Sequence, residues 1–78
     1  MTQYSVRSWT LPKRGSGAYP NGYVSTGFDA SSFREAAEKF VTMLHQLQGI
    51  GSGRRAIVIE NTHSGLKKTF RYDGEGLE

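Results

Sequence analysis

The sequence predicts an α+β fold, in which a four-stranded antiparallel sheet packs against one amphipathic helix in the order β-β-α-β-β. The chain has 78 residues, which is enough for one small domain with one hydrophobic core. A central segment has clear helical periodicity, and a pair of segments with strand composition flanks it on each side. Because one helix covers one face of such a sheet, we expect the other face to be solvated or covered by a partner.

Two strands are predicted before the helix, at residues 4–9 and 23–28, where β-branched and aromatic residues are frequent. The segment between them is long for a hairpin loop, and loops of this length in small domains are often functional. It contains Lys13 and Arg14 beside glycines. We interpret this segment as a basic loop.

The helix is predicted at residues 32–48, where apolar residues recur at i, i+3, i+4 and i+7. These apolar residues are Phe33, Ala36, Ala37, Phe40, Val41, Leu44 and Leu47. Ser32 and Glu35 have the spacing of a capping box, and Lys39 lies four residues after Glu35, as in a favourable ion pair. Gly49 is a typical C-terminal stop.

Two more strands are predicted after the helix, at residues 56–60 and 66–72. Gly65 ends the turn between them and suits a left-handed backbone conformation. The connection before this hairpin is rich in glycine and ends in Arg54 and Arg55. We interpret it as a second flexible basic loop that reaches a phosphate or a carboxylate-rich partner, although a simple contribution to solubility is the alternative.

The sheet face away from the helix is the first candidate for a binding surface. If Val6 and Val24 face the helix, alternation places basic and aromatic side chains on the opposite face. That face then carries Arg7, Trp9, Tyr23, Lys67 and Arg71. Such a mixture suits nucleic acid or a protein interface, whereas the alternative is that Trp9 and Tyr23 complete the core. A register slip of one residue would reverse the two faces.

The charge is unevenly distributed along the chain. Lys and Arg total 10 against 7 Asp and Glu, which gives a net charge of +3. Three of the acids lie in the last six residues, so residues 1–72 carry all 10 bases and 4 acids, a net +6. A basic body favours polyanionic partners or acidic protein surfaces.

The composition also restricts compartment and chemistry. Cysteine is absent, the N-terminus lacks a secretory signal, and the longest apolar run has four residues at positions 56–59, so we expect a cytoplasmic protein without a membrane segment. Two histidines, no zinc-binding motif and no nucleophile-elbow motif predict no enzyme, no metal, no cofactor and no small-molecule substrate. The terminal Leu77-Glu78 resembles the remnant of an expression tag, which leaves a single predicted domain at residues 1–76.

Residues 22–72 resemble the small chromosomal protein of methanogenic archaea in plan. The shared features are Thr26-Gly27 in a strand, a serine-rich helix start leading into Glu35-Ala36-Ala37, a Gly-Ser-Gly connection, and a tight hairpin followed by Lys67-Lys68. That family binds and bends DNA, so this resemblance implies direct DNA binding.

The whole chain also resembles small phage-encoded anti-CRISPR proteins in its size, its lack of cysteine and its predicted helix on an antiparallel sheet. Such proteins inhibit without catalysis, by binding a CRISPR effector and blocking its access to DNA. Because this body is basic, the resemblance implies an inhibitor that holds acidic patches or bound nucleic acid.

We therefore predict a non-enzymatic binding protein, with an anti-CRISPR-type inhibitor as the leading form and a DNA- or RNA-binding protein as the alternative. A homodimer formed through the open sheet face or an unpaired edge strand is a further alternative. The residues expected to contact the partner are Arg7, Trp9, Lys13, Arg14, Arg54, Arg55, Lys67 and Arg71.

Overall fold

The computed structural model describes residues 1–11, 23–46 and 53–77. Its elements are β1 (Thr2–Thr10), β2 (Val24–Ala30), α1 (Phe33–Gln46), β3 (Arg55–Asn61) and β4 (Lys67–Tyr72). The strands form one antiparallel sheet in the order β2-β1-β3-β4. The predicted α+β fold and its β-β-α-β-β order are therefore confirmed.

The register of the sheet decides which side chains face α1. Val6 of β1 lies opposite Thr26 of β2 and Ile59 of β3, and directly opposed residues on neighbouring strands share one face of a sheet. The buried side chains of the helix side are Tyr4, Val6, Ser8, Ala30, Arg55, Ile57, Ile59, Phe70 and Tyr72. They alternate along each strand with residues of the opposite face, as a sheet covered by one helix requires.

The helix buries one stripe of side chains on this face. Ala36, Ala37, Phe40 and Leu44 are fully buried, and Phe33 lies edge-on to Tyr4 with 5.1 Å between ring centroids. These contacts confirm the predicted apolar stripe as far as Gln46, whereas residues 47–50, which include the predicted stop Gly49, lie outside the described residues.

The N-terminus of α1 is capped by Ser32, whose Oγ accepts a hydrogen bond of 3.1 Å from the backbone N–H of Glu35. The Glu35 carboxylate accepts a hydrogen bond from Ser31 Oγ and lies 3.7 Å from Lys39 Nζ. These two interactions hold the pKa of Glu35 below its ordinary value, with the Ser31 bond as the main cause. The helix therefore begins at Phe33, one residue after the predicted start, because Ser32 is its cap.

We expect Ser32→Ala to destabilise the domain by about 1 kcal/mol, since the N–H of Glu35 loses its acceptor. For a domain of this size, that loss lowers the melting temperature by about 4–8 °C. Ser32→Asp is the matched control, because its carboxylate restores the acceptor and should keep the melting temperature close to that of the parent chain. Equal thermal melts for Ser32→Ala and the parent chain would contradict this role of Ser32.

The two turns after β3 and β4 rest on glycines and short polar side chains. Gly65 has φ 78°, as predicted for the hairpin, and the Asn61 Oδ1 atom accepts hydrogen bonds from the N–H groups of His63 and Ser64. After β4 the chain folds back, so that Leu77 bridges Tyr72 and packs partly buried against the core.

Candidate binding surface

The open face, by which we mean the side of the sheet away from α1, carries four of the predicted contact residues. Arg7 and Trp9 lie on β1, and Lys67 and Arg71 lie on β4. Arg7, Trp9 and Arg71 alternate with residues buried under the helix, whereas Lys67 is placed on this face by its register opposite Glu60. Trp9 does not belong to the core cluster. The register thus places these four side chains on the open face, and their contact with a partner remains a prediction.

The centre of the open face is a row of β3 side chains, and we call this row, with its walls on β1 and β4, the trough. Its floor consists of Ala56, which is 9% exposed, the half-buried Val58 and the carboxylate-bearing Glu60. Trp9 and Arg71 lie opposite Ala56 on its two sides, while Arg7 lies opposite Val58. Because neighbouring strands are separated by about 4.8 Å, the backbones that carry the two walls are about 10 Å apart. The arrangement is a floor of two apolar residues and one carboxylate, between walls that each carry cations.

The charges of the open face are only partly neutralised. Arg7, with a side chain that is 53% exposed, lies 3.9 Å from Glu60. Lys67 and Arg71 are exposed and form no ion pair within the described part of the chain. An exposed pair at 3.9 Å contributes little free energy, so Arg7 can exchange Glu60 for an anionic group of a partner.

Apart from Arg55, the remaining predicted surface residues are Tyr23, Lys13, Arg14 and Arg54. Tyr23 is 62% exposed and directly precedes β2, outside the paired register. Lys13 and Arg14, the basic residues of the first predicted loop, lie outside the described residues. Arg54 is exposed and directly precedes β3, so its side chain is accessible at the end of the sheet that also carries Trp9.

Arg55 does not belong to an exposed basic loop, and this part of the prediction was wrong. It is the first residue of β3 and is fully buried on the helix side of the sheet. Its Nε atom donates a 3.0 Å hydrogen bond to Ser8 Oγ, which in turn donates a 2.8 Å hydrogen bond to the carbonyl of Ala56. Burial lowers the pKa of the Arg55 guanidinium, which nevertheless stays protonated because arginine titrates far above neutral pH. Arg55 is therefore a structural residue.

A second polar contact joins the helix to the end of β4. His45 Nε2 and the Tyr72 hydroxyl are 2.9 Å apart, and burial, followed by the nearby negative charges of Asp73 and Glu75, raises the pKa of Tyr72. His45 is otherwise exposed, and the sequence did not lead us to predict this contact. A signal was present, because Tyr72 is an aromatic residue with a polar tip at an inward-facing strand position.

The same region contains a shallow cleft of about 360 Å³ between α1 and the C-terminal segment. It is lined by Arg34, Glu38, Val41, Thr42, His45 and Leu77. Arg34 and Glu38 already form an ion pair at 3.3 Å, so the cleft presents a mixed, largely neutralised surface.

Two further findings concern the described residues as a whole. No group of three or more His, Asp or Glu side chains converges there as a metal site. No helix in the same ranges is long and apolar enough to cross a lipid bilayer.

Comparisons with protein families, curated proteins and solved structures place no known protein beside this chain. No family model, no curated protein and no solved structure matches it. The case for its function therefore rests on the open face and on the charges that the fold gathers there.

Proposed function

We propose that this chain is a non-enzymatic binding module that acts on nucleic-acid-processing machinery through the open face of its sheet. The observation that carries the proposal is that Arg7, Lys67 and Arg71 share the open face with the half-buried Trp9. Arginine and tryptophan are frequent anchors of protein interfaces. Exposed cations favour a partner with an acidic or polyanionic surface.

In its specific form, the proposed activity is inhibition of a CRISPR effector in the manner of small phage-encoded anti-CRISPR proteins. The chain is short, lacks cysteine and packs one helix on an antiparallel sheet, and these are the features on which the resemblance rests. The cations of the open face support binding to an acidic patch or to bound nucleic acid, because a protein that imitates DNA needs a negative surface. Binding at such a site blocks access of the effector to DNA.

A plasmid-interference assay tests this function. Cells that carry one defined CRISPR effector, taken from a panel of effector types, are transformed with a plasmid that the effector targets. We expect expression of the chain to restore transformation in at least one strain to the level of an untargeted plasmid. The double variant Arg7→Gln/Arg71→Gln should lose this effect, because two cations of the open face are removed.

Arg34→Gln is the control for loss of charge outside the open face, since it removes one positive charge from the helix side and should retain inhibition. Immunoblots verify that the variants accumulate equally in the cells. Failure to relieve interference by any effector in the panel would overturn the proposed inhibitor. Equal losses from Arg34→Gln and from the open-face double variant would remove the open face from the mechanism.

Direct binding of DNA or RNA is the second candidate function, and the position of Trp9 favours it. Trp9 lies beside the small Ala56 and opposite the wall that carries Arg71. A partly exposed indole next to cations is a common feature of proteins that stack bases and neutralise phosphates.

A further inference from the structure

The strand order and the charges of the trough suit one extended anionic chain that lies along β3. The floor of the trough is one strand wide, because Ala56 lies between Trp9 and Arg71, and Val58 lies between Arg7 and Thr69. The backbones of the two walls are about 10 Å apart. A single strand fits that width along the direction of β3.

The cations lie along both walls of the trough. Arg7 lies on the β1 side, and Lys67 and Arg71 lie on the β4 side. Arg71 lies four positions after Lys67 in β4, which corresponds to about 13 Å. Charges spread over this distance match a backbone with repeated negative groups better than they match a single small anion.

The position of Trp9 distinguishes single-stranded from duplex nucleic acid as the ligand. The half-buried side chain of Trp9 lies on the open face, where it can contact a group that approaches the sheet. A base within a duplex is already stacked and offers no free face to such a ring, whereas an unpaired base stacks on an exposed aromatic side chain. The combination of Trp9 with flanking cations therefore favours single-stranded nucleic acid over a duplex.

We propose that the open-face trough binds single-stranded nucleic acid, with a base stacked on Trp9 and phosphates held by Arg7, Lys67 and Arg71. This inference rests on the proposed role of the open face as the binding surface. It specifies that the polyanion is an unpaired strand, such as a displaced DNA strand or an RNA. The two sources share the chemistry of a phosphate backbone with exposed bases.

Titrations of the purified chain with labelled oligonucleotides test the inference. The probes are oligo-dT and oligo-U of about 12 nucleotides, a length within the range bound by comparable small folds. Trp9 is the single tryptophan of the sequence, so quenching of its fluorescence reports stacking directly. We expect both probes to bind at about 50 mM NaCl and to quench Trp9, and the difference between them identifies the preferred sugar.

Salt dependence and variants make the test quantitative. The three cations contribute about −2 to the slope of log K against log salt, and Arg71→Gln should reduce that slope by about 0.7. Trp9→Ala should weaken binding by about ten-fold to a hundred-fold, whereas Trp9→Phe retains a stacking ring and should weaken it much less. Circular dichroism verifies folding, and Arg71→Gln keeps the test valid if Trp9→Ala fails to fold.

Three outcomes would overturn the inference. The first is the absence of binding to either probe at high micromolar protein. The second is equal or tighter binding of a duplex of the same length or of a polyglutamate peptide. The third is an equal loss of affinity in Arg34→Gln and in Arg71→Gln. Since the assay contains no effector, its failure is distinct from failure of the proposed inhibition, which the plasmid-interference assay measures separately.

Discussion

Arg55→Glu is expected to unfold the chain, whereas the same substitution at the neighbouring Arg54 leaves the fold intact. Arg55 is fully buried under α1 and bonded to Ser8. Placing a carboxylate there removes that bond and buries a charge of the wrong sign, which costs about 3–5 kcal/mol. A domain of this size has a total stability of about the same magnitude. Arg54 is exposed, so its substitution should change stability by less than about 0.5 kcal/mol.

Thermal melts followed by circular dichroism measure this difference. The two variants have the same composition and net charge, so a generic charge effect would shift both melts equally. Similar melts for Arg54→Glu and Arg55→Glu would contradict the buried position of Arg55. In binding experiments, Arg54→Glu therefore tests whether the end of the sheet near Trp9 contacts the partner. A loss of binding in Arg55→Glu would report unfolding instead.

The face assignments were accessible from the sequence because they follow from local alternation. The helical stripe that contains Phe40 and Leu44 has the period of a helix, and the strands that contain Ile57 and Phe70 have the period of a sheet. Both periods are read from residues that lie only a few positions apart in the chain. Once the helix side was identified, the positions of Arg7 and Arg71 on the other side followed.

The burial of Arg55 could not be predicted from local alternation. Arg55 follows a glycine-rich segment and a second arginine, and this local pattern favours an exposed loop. Its hydrogen-bond partner Ser8 lies 47 positions earlier in the chain. The contact depends on the pairing of β1 with β3, which a local pattern does not report. A polar residue at an inward position of β1, such as Ser8 after Tyr4 and Val6, is the signal that such a contact leaves in a sequence.

The proximity of Arg7 and Arg71 across the trough could not be predicted from the sequence, for a related reason. Arg7 and Arg71 lie on strands that are far apart in the chain and are separated in the sheet by β3. The strand order β2-β1-β3-β4 creates their proximity, and the predicted sequence elements allowed other orders. A surface assembled across three strands has no fixed residue spacing, so no short sequence motif predicts it.

Ile57 and Val58 are adjacent residues of β3 that lie on opposite faces, and aspartate at each position should produce opposite results. Ile57 is fully buried under α1. Ile57→Asp removes its apolar contacts and buries a carboxylate, which together cost about 5 kcal/mol and should unfold the chain. Val58 is half-buried on the floor of the trough. Val58→Asp should cost about 1 kcal/mol, the range of strand preferences, and leave a folded domain.

Val58→Asp nevertheless adds a second negative charge to the trough floor beside Glu60, directly opposite Arg7 on β1. An anionic strand is then repelled at the centre of the trough, so oligonucleotide binding and relief of plasmid interference should both be lost in a protein that still melts cooperatively. Val58→Thr is the matched control, because it keeps the shape of valine without the charge and should retain both activities. Folded Val58→Asp with unchanged binding would show that the partner uses another surface, and a folded Ile57→Asp would contradict the register of the sheet.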